Sequence, residues 1–374
     1  MDYRDLLQLL DRADSIKDLA AASAPHAAKV GRLSNDVVEA IRSTGLTGIG
    51  LPAALGGFAS PPVATSEVLE RIAIGDASVA WIVMIASTAT FHAALLEPDV
   101  AAGMFSEATI VAGVFAPKGT AVAVEGGYRL SGRWPFCSGC LHADWISLGF
   151  IDGDRQKSAI LPAGAVEVLD TWEVMGLEAT GSHDVALHDT FVPADRVVDL
   201  SGRPKVDEPL FRFPLFGLLA SAVSSVMLGA ARGAIDDMTA LATKKTPTGS
   251  TRSLAERPSF QETLARAEAA LAAARSFLHG RLDAAWRSVL DSGDPVDDDA
   301  RVKMRMAATF AAETATAVVD SMFRAGGGSS IYRSAGLERR FRDVHTAAQH
   351  MMVAQPTWEV AGRALLGLGP HAAL

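Results

Sequence analysis

Tyr128-Arg129-Leu130-Ser131-Gly132-Arg133-Trp134-Pro135-Phe136-Cys137-Ser138-Gly139-Cys140-Leu141-His142-Ala143-Asp144-Trp145 joins two apolar runs through a turn of proline, cysteine and glycine. Short Val/Ile/Leu/aromatic runs broken by Gly, Pro and Asp read as strands. The same texture extends both ways: Thr120 to Val124, Tyr128 to Ser131, Trp145 to Phe150, Lys157 to Leu161, Val166 to Asp170 and His183 to Val192 are the expected strands of a small antiparallel sheet or barrel. Outside this stretch the period changes. Before it, Leu6, Leu7 and Leu10, then Val37, Val38 and Ile41, recur at helical spacing, and Ser34 is placed to cap the second segment. Pro52-Ala53-Ala54-Leu55-Gly56-Gly57 interrupts as a loop before helices resume at Ser66 to Ile74 and Ser78 to Leu96. After Asp207, helices are expected at about Phe213 to Ala242, Ser259 to Asp291, Asp297 to Ala325 and Leu337 to Ala354, with a short fifth after Pro356. Asp297-Asp298-Asp299 then reads as a cap that compensates a helix dipole. Three domains follow: helical over 1–112, β over 113–204 and a helical bundle over 205–374.

A chain of 374 residues exceeds what one hydrophobic core usually serves, and 49% hydrophobic against 21% charged residues excludes disorder as the main state. The net charge of 34 − 43 = −9, with Lys and Arg scattered, leaves no basic stripe for nucleic acid. Two cysteines make no disulfide scaffold, and Met1 to Asp5 lacks the basic and apolar stretches of a leader, so a cytoplasmic protein is expected. Val79 to Leu96 and Phe213 to Ala231 approach membrane-spanning length, but Ser, Thr, Gly and Ala dilute them and no Lys/Arg bias flanks them. They are expected as buried helices, with no membrane.

Among short motifs, Cys137-Ser138-Gly139-Cys140 lies between two expected strands rather than opening a helix, and no second cysteine pair exists, so neither redox nor zinc chemistry is expected of it. His345 and His350 would lie about 140° apart around a helix, so no metal is expected there. The chain has no H-E-x-x-H, no phosphate loop and no strand-linked G-x-G-x-x-G. Trp81, Ile85, Thr88 and His92 follow 4-3-4 spacing on one helix face. A histidine there is ordinarily a satisfied core residue, but a face turned to a pocket between domains makes His92 a catalytic candidate.

Four strings in order resemble the acyl-CoA dehydrogenase superfamily over nearly the whole chain. Leu51 to Gly57 looks like that family's proline-to-glycine-glycine loop. Tyr128 to Trp134, with Phe136 to Gly139 and Ala143 to Trp145, is similar to its flavin-contacting β segment. Met175 to Asp184, followed by Phe191-Val192-Pro193, looks like the strands closing that domain. Gly326-Gly327-Gly328 and Leu337 to Asp343 resemble the glycine loop and Arg-Asp helix start of its final bundle. The implied fold is α+β, of acyl-CoA dehydrogenase type: a helical N-terminal domain, a central small β-barrel and a C-terminal four-helix bundle.

The resemblance implies a flavin between the β domain and the last bundle. Ser138 would hydrogen-bond near its N5, Phe136 would cover the ring, and Gly139, Thr180 and Ser182 would complete the contacts. Gly326 and Gly327 would lie by the adenosine diphosphate half of FAD. Dehydrogenases of this family use a glutamate base, in most members eight residues past the Arg-Asp aspartate. Counting from Asp343 reaches Met351, and the other position the family uses falls in Phe213 to Ile235, which has no Asp or Glu. A thioether cannot abstract a proton. The chain instead resembles the branch of two-component flavin monooxygenases, with His350 next to the empty position. The expectation is a homotetrameric oxygenase that takes reduced FAD or FMN from a separate reductase. It would hydroxylate a small aromatic or alicyclic substrate with dioxygen through a flavin C4a-hydroperoxide. His350 is the expected acid/base, titrating near pH 7, with Ser138 and His92 assisting. The alternatives are an acyl-CoA dehydrogenase with an unrecognised base and a catalytically dead flavoprotein kept for complex assembly.

Overall fold

The computed structural model describes residues 3–368. Met1 and Asp2 of the leader reading, and 369–374 of the expected bundle, lie outside the described residues. Leu9, Ala13, Ile16 and Ala20, spaced 4-3-4, are fully buried on one stripe of α1 (Tyr3–Val30), which sets that helix against the others. Helices α2 (Asn35–Thr44), α3 (Pro62–Gly75), α4 (Ala77–Ala89) and α5 (Pro98–Ala102) complete the N-terminal part. Ser34 stands at the N-cap of α2, but its side chain makes no capping bond. Asp76 does cap α4, accepting from the Val79 N–H.

The central sheet has the order β5-β6-β2-β1-β3-β4-β7, with β1 (Val111–Val124), β2 (Gly127–Trp134), β3 (Trp145–Asp152), β4 (Arg155–Pro162), β5 (Glu167–Leu169), β6 (Asp184–Pro193) and β7 (Val197–Asp199). It departs from the expectation twice. The order has two ends, β5 and β7, so the ladder does not close into a barrel. It is also mixed: the first half of β1 pairs parallel with β3, and past an irregularity between Val114 and Gly119 its second half pairs antiparallel with β2. Trp134 and Phe150 fill this sheet's own core.

The C-terminal part is built of α6 (Leu215–Lys244), α7 (Pro258–Ser292), α8 (Asp298–Gly326), α9 (Leu337–Ala347) and α10 (Pro356–Leu365). The Asp297 side chain caps α8 by accepting from the Ala300 N–H at 2.7 Å. Ala77–Ala94 and Leu215–Lys244 are long and apolar enough to span a bilayer, yet 83% and 78% of their windows are buried inside the protein. Where a helix to Ala354 was expected, α9 stops at Ala347 and 348–355 is a run of turns. His350 therefore sits on a turn, not a helix. Helix α9 is fastened to the loop before β6. The Leu177 N–H donates to Asp343 Oδ1 at 2.6 Å, and Gly176 passes so close that a Cβ there would lie 2.2 Å from the Arg342 carbonyl oxygen.

Candidate active site

The turn from Phe136 to Cys140 is laced to the loop before β6 by backbone bonds. The Cys137 N–H donates to the His183 carbonyl (3.0 Å) and the Gly139 N–H to the Thr180 carbonyl (2.9 Å). Phe136 adopts φ +66°, a conformation that costs a non-glycine residue about 1–3 kcal/mol and gathers at functional sites. Its ring is 69% exposed and meets Trp172 edge-on at 6.2 Å.

Behind Phe136 runs a chain of buried hydroxyls. The Trp81 indole N–H donates to Ser138 Oγ (3.1 Å). Ser138 Oγ lies 2.7 Å from Ser182 Oγ, which lies 2.6 Å from Thr180 Oγ1, itself 2.8 Å from the Leu177 carbonyl. Each hydroxyl has one proton. With all three protons pointing inward, Ser138 presents a lone pair outward; with all three reversed, Ser138 donates outward. Leu177 keeps partners either way, because its carbonyl also accepts from the Trp172 indole N–H (3.2 Å) and the Thr180 N–H (3.1 Å). The expected donation from Ser138 is thus one of two settings of a reversible chain.

The Trp81 ring also meets the His350 ring edge-on at 5.6 Å. His350 Nδ1 accepts from the Met352 N–H at 3.3 Å, which leaves the proton of the neutral imidazole on Nε2. Burial, and then the Arg305 guanidinium, lower its pKa to about 4, so it is neutral near pH 7 rather than titrating there. Asp343 and Thr346, seven and four residues before it, are engaged elsewhere: Asp343 with the Leu177 N–H, and Thr346 Oγ1 with the Arg342 carbonyl. Arg305, on α8, is missing from the sequence reading. It is buried, has no carboxylate within ion-pair distance among the described residues, and donates to the Met352 carbonyl (3.1 Å) and Thr357 Oγ1 (3.4 Å). It props the turn that carries His350. Met351, at the family's glutamate position, is 71% exposed.

His92 is placed differently from the expectation. The chain tightens into a 3-10 turn at Thr90, so His92 leaves the face of Trp81. Its Nδ1 lies 2.7 Å from the Ala89 carbonyl, its Nε2 3.2 Å from Ser147 Oγ, and it stacks on Phe115 at 5.3 Å. Burial lowers its pKa to about 4. With both nitrogens occupied inside the protein, it has none open to a substrate. Gly326 and Gly327, expected by the adenosine diphosphate half rather than at the ring, stand apart from this cluster. The Gly326 carbonyl accepts from Lys245 Nζ at 2.7 Å, and a Cβ on Gly326 would meet Leu337 at the start of α9. His350 lies beyond the other end of α9, whose 11 residues span roughly 16 Å.

Two spaces lie along the elements that carry the site. A narrow pocket with a cavity volume of about 40 Å³ is lined by Thr65, Thr88, Phe91, Leu215, Leu218 and Ser221, among others, and no charged side chain lines it. Thr88 is two helical turns along α4 from Trp81, on the same face. An open groove of about 600 Å³ passes Leu141, Trp172 and His183, beside Phe136. An exposed aromatic ring next to a hydroxyl that can either donate or accept fits a flat heterocycle whose edge nitrogen changes between acceptor and N–H on reduction, which is what a flavin offers. No group of three or more His, Cys, Asp or Glu that could hold a metal occurs among the described residues.

The acyl-CoA dehydrogenase N-terminal domain family matches residues 11–97 and the acyl-CoA dehydrogenase C-terminal domain family residues 221–355. Indole-3-acetate monooxygenase of Pseudomonas putida is 32% identical over 345 residues, covering 90% of this chain and 88% of that protein. The oxygenase component of the FADH(2)-dependent resorcinol hydroxylase of Rhizobium sp. is 28% identical, covering 97% and 95%. The structure of XiaF from Streptomyces sp. in complex with FADH2 and glycerol superposes with a TM-score of 0.92 at 28% identity, covering 99% and 98%. The chain belongs to the acyl-CoA dehydrogenase superfamily, in its branch of two-component flavin-dependent monooxygenases.

Proposed function

We propose that this protein hydroxylates a small, uncharged aromatic or heteroaromatic compound with dioxygen and reduced flavin, FAD in preference to FMN, delivered by a separate reductase to a homotetramer. The observation that carries the substrate class is the pocket two turns along α4 from Trp81, lined by apolar and hydroxyl side chains with no charge. A buried carboxylate would be left unpaired there, at a cost of several kcal/mol, whereas a ring loses only its contact with water. The names of the relatives support hydroxylation of aromatic compounds. FAD is favoured by the FADH2 bound in XiaF and by the Gly326-Gly327 turn at the far end of α9.

When bound, reduced flavin supplies the electrons that activate dioxygen. The chain's own residues do the rest. Phe136 offers a face for the ring, and Ser138, with its protons directed toward Thr180, offers a lone pair to an N5–H. His350 offers an Nε2–H donor across from Trp81, and the apolar walls of α4 and α6 keep water out. Dehydrogenation of a thioester lacks a base: neither Leu215 to Ile235 nor Val344 to Trp358 contains an Asp or Glu.

The test supplies the protein with reduced FAD and oxygen over a panel of phenols and indoles and their carboxylated analogues. Products one oxygen heavier should form at least about tenfold faster from the uncharged members, the scale set by burying one unpaired charge or polar group. Acyl-CoA thioesters with an artificial electron acceptor should give no turnover. Preference for the carboxylates would overturn the substrate class, and efficient dehydrogenation of any thioester would overturn the reaction.

The hydroxyl chain gives a second expectation. Ser138→Ala removes the nearest contact and should weaken binding of both flavin forms. Ser182→Ala removes the inward acceptor, so the Ser138 proton turns outward, against an N5–H and toward an unprotonated N5. Reduced flavin should then lose about tenfold in affinity relative to oxidised, lowering the potential of the bound flavin by about 30 mV. An unchanged potential in Ser182→Ala would mean that the chain does not sense N5.

A further inference from the structure

We propose that Cys137 and Cys140 are an oxidation site: hydrogen peroxide converts them to a disulfide, and the bond draws Ser138 and Gly139 out of the geometry that receives flavin. The pair brackets these two residues and is not otherwise used. The Cys140 N–H donates to the Cys137 carbonyl at 3.2 Å, and Gly139 takes φ +78°. That is the closure of a β-turn, which brings its first and last Cα atoms within about 7 Å, and a disulfide spans about 4.4–6.8 Å. Cys137 is fully buried and Cys140 is 5% exposed, so Cys140 is the sulfur a small oxidant reaches first.

The surroundings also assign the roles. The Cys137 thiol and backbone N–H groups lower the Cys140 pKa, while the neighbouring Cys140 and burial raise that of Cys137. As a thiol, Cys140 donates to the Gly181 carbonyl at 3.4 Å. As a thiolate, it attacks one oxygen of hydrogen peroxide; the O–O bond breaks, giving Cys140 sulfenic acid and hydroxide. The Cys137 sulfur then attacks the sulfenic sulfur, the S–S bond forms and the S–O bond breaks. Both departing hydroxides take up the two thiol protons. Two thiols and one peroxide become one disulfide and two waters, the sulfurs losing two electrons and the peroxide gaining two.

The consequence follows from attachment. Ser138 Oγ is held by Trp81 and Ser182, and the flanking backbone by His183 and Thr180. Contracting two sulfurs to about 2.05 Å shifts the turn between them and with it the Ser138 hydroxyl. This half of the proposal rests on the flavin reading of Ser138; the formation of the bond does not.

The experiment treats the reduced, full-length protein with hydrogen peroxide, denatures it in alkylating reagent and measures its intact mass. The expected result is a loss of about 2 Da, with neither cysteine alkylated and both recovered after dithiothreitol. Reduced-FAD affinity should fall about tenfold or more in the oxidised protein and return on reduction. Cys140→Ser, which keeps a small polar side chain, should lose the peroxide response and retain flavin affinity; Cys137→Ala serves the same purpose if that variant does not fold. Two alkylatable thiols remaining, or a gain in mass by oxygen without a disulfide, would overturn the site and leave the pair as small core residues. A reversible disulfide with unchanged flavin affinity would overturn its effect on Ser138. A reversible disulfide in a protein that binds flavin in neither state would uphold the oxidation site and overturn the proposed function.

Discussion

Replacing His350 with alanine should lower product formation about 100-fold, the usual scale for losing a group that handles a proton or hydrogen bond in the transition state. Reduced-flavin affinity should change little, because the ring contacts proposed here come from Phe136 and Ser138. The kind of role follows from the turn that carries His350. The Met352 N–H occupies Nδ1, and burial with the Arg305 charge keeps the imidazole neutral down to about pH 4. Through pH 5 to 8 His350 is therefore a fixed Nε2–H donor, and its own titration should put no break near pH 6.5 in the rate profile. His350→Gln retains an N–H donor and should recover part of the activity that His350→Ala loses. Arg305→Met removes the nearby charge, and the His350 titration followed by NMR should move up from about 4 toward the ordinary histidine value of about 6.5. Near-normal hydroxylation in His350→Ala would remove it from the mechanism. A loss of wild-type activity with a midpoint between pH 6 and 7, absent from His350→Gln, would restore it as a titrating acid/base.

The elements whose form depends on neighbours in sequence were legible. The acidic cap of α8 and the strand texture around Trp134 are local patterns, and folding leaves them as read; α1 forms as a helix, but its buried stripe is Leu9, Ala13, Ile16 and Ala20 rather than Leu6, Leu7 and Leu10. The features that failed are set across the chain. Helix α9 ends at Ala347, and the turn that follows is held by Arg305, 47 residues earlier than Met352. The parallel pairing of β1 with β3 could not be read because alternation shows which face a strand buries but not its partner. His92 was put on the face of Trp81 by extending one period too far, past the point where the Thr90 hydroxyl turns back onto the Ser87 carbonyl at 2.5 Å. Ser138, Thr180 and Ser182 fall in one cluster, whereas Gly326 and Gly327 stand at the far end of α9. Arg305 did leave a signal: Val302, Arg305, Thr309 and Ala312 follow 3-4-3 spacing, so a charge sits on a stripe that is otherwise buried.

Asp343→Leu should lower folding stability by about 3 kcal/mol, since it leaves the Leu177 N–H without its acceptor in the interior. It should also slow hydroxylation, because Leu177 anchors Thr180, and through it Ser182 and Ser138. The wild-type carboxyl carries a cost of its own. It is 3% exposed, and burial first, then the charge of Asp76, raise its pKa to about 7 against the outweighed help of Leu177, Arg339 and Arg342. In the unfolded chain the same carboxyl has released its proton above about pH 4. Between about pH 4 and pH 7 the folded state thus binds more protons than the unfolded state, and the contribution of Asp343 to stability falls as pH rises, by about 1.4 kcal/mol for each unit by which its pKa is raised. Asp343→Asn keeps an oxygen for the Leu177 N–H and discards the titration. Urea unfolding at pH 5, 6, 7 and 8 should show wild type losing ground to Asp343→Asn across this window, with the variant the more stable above pH 7. Parallel stability curves for the two proteins would mean that Asp343 is ionised throughout, its charge matched by Arg339 and Arg342 despite the presence of Asp76.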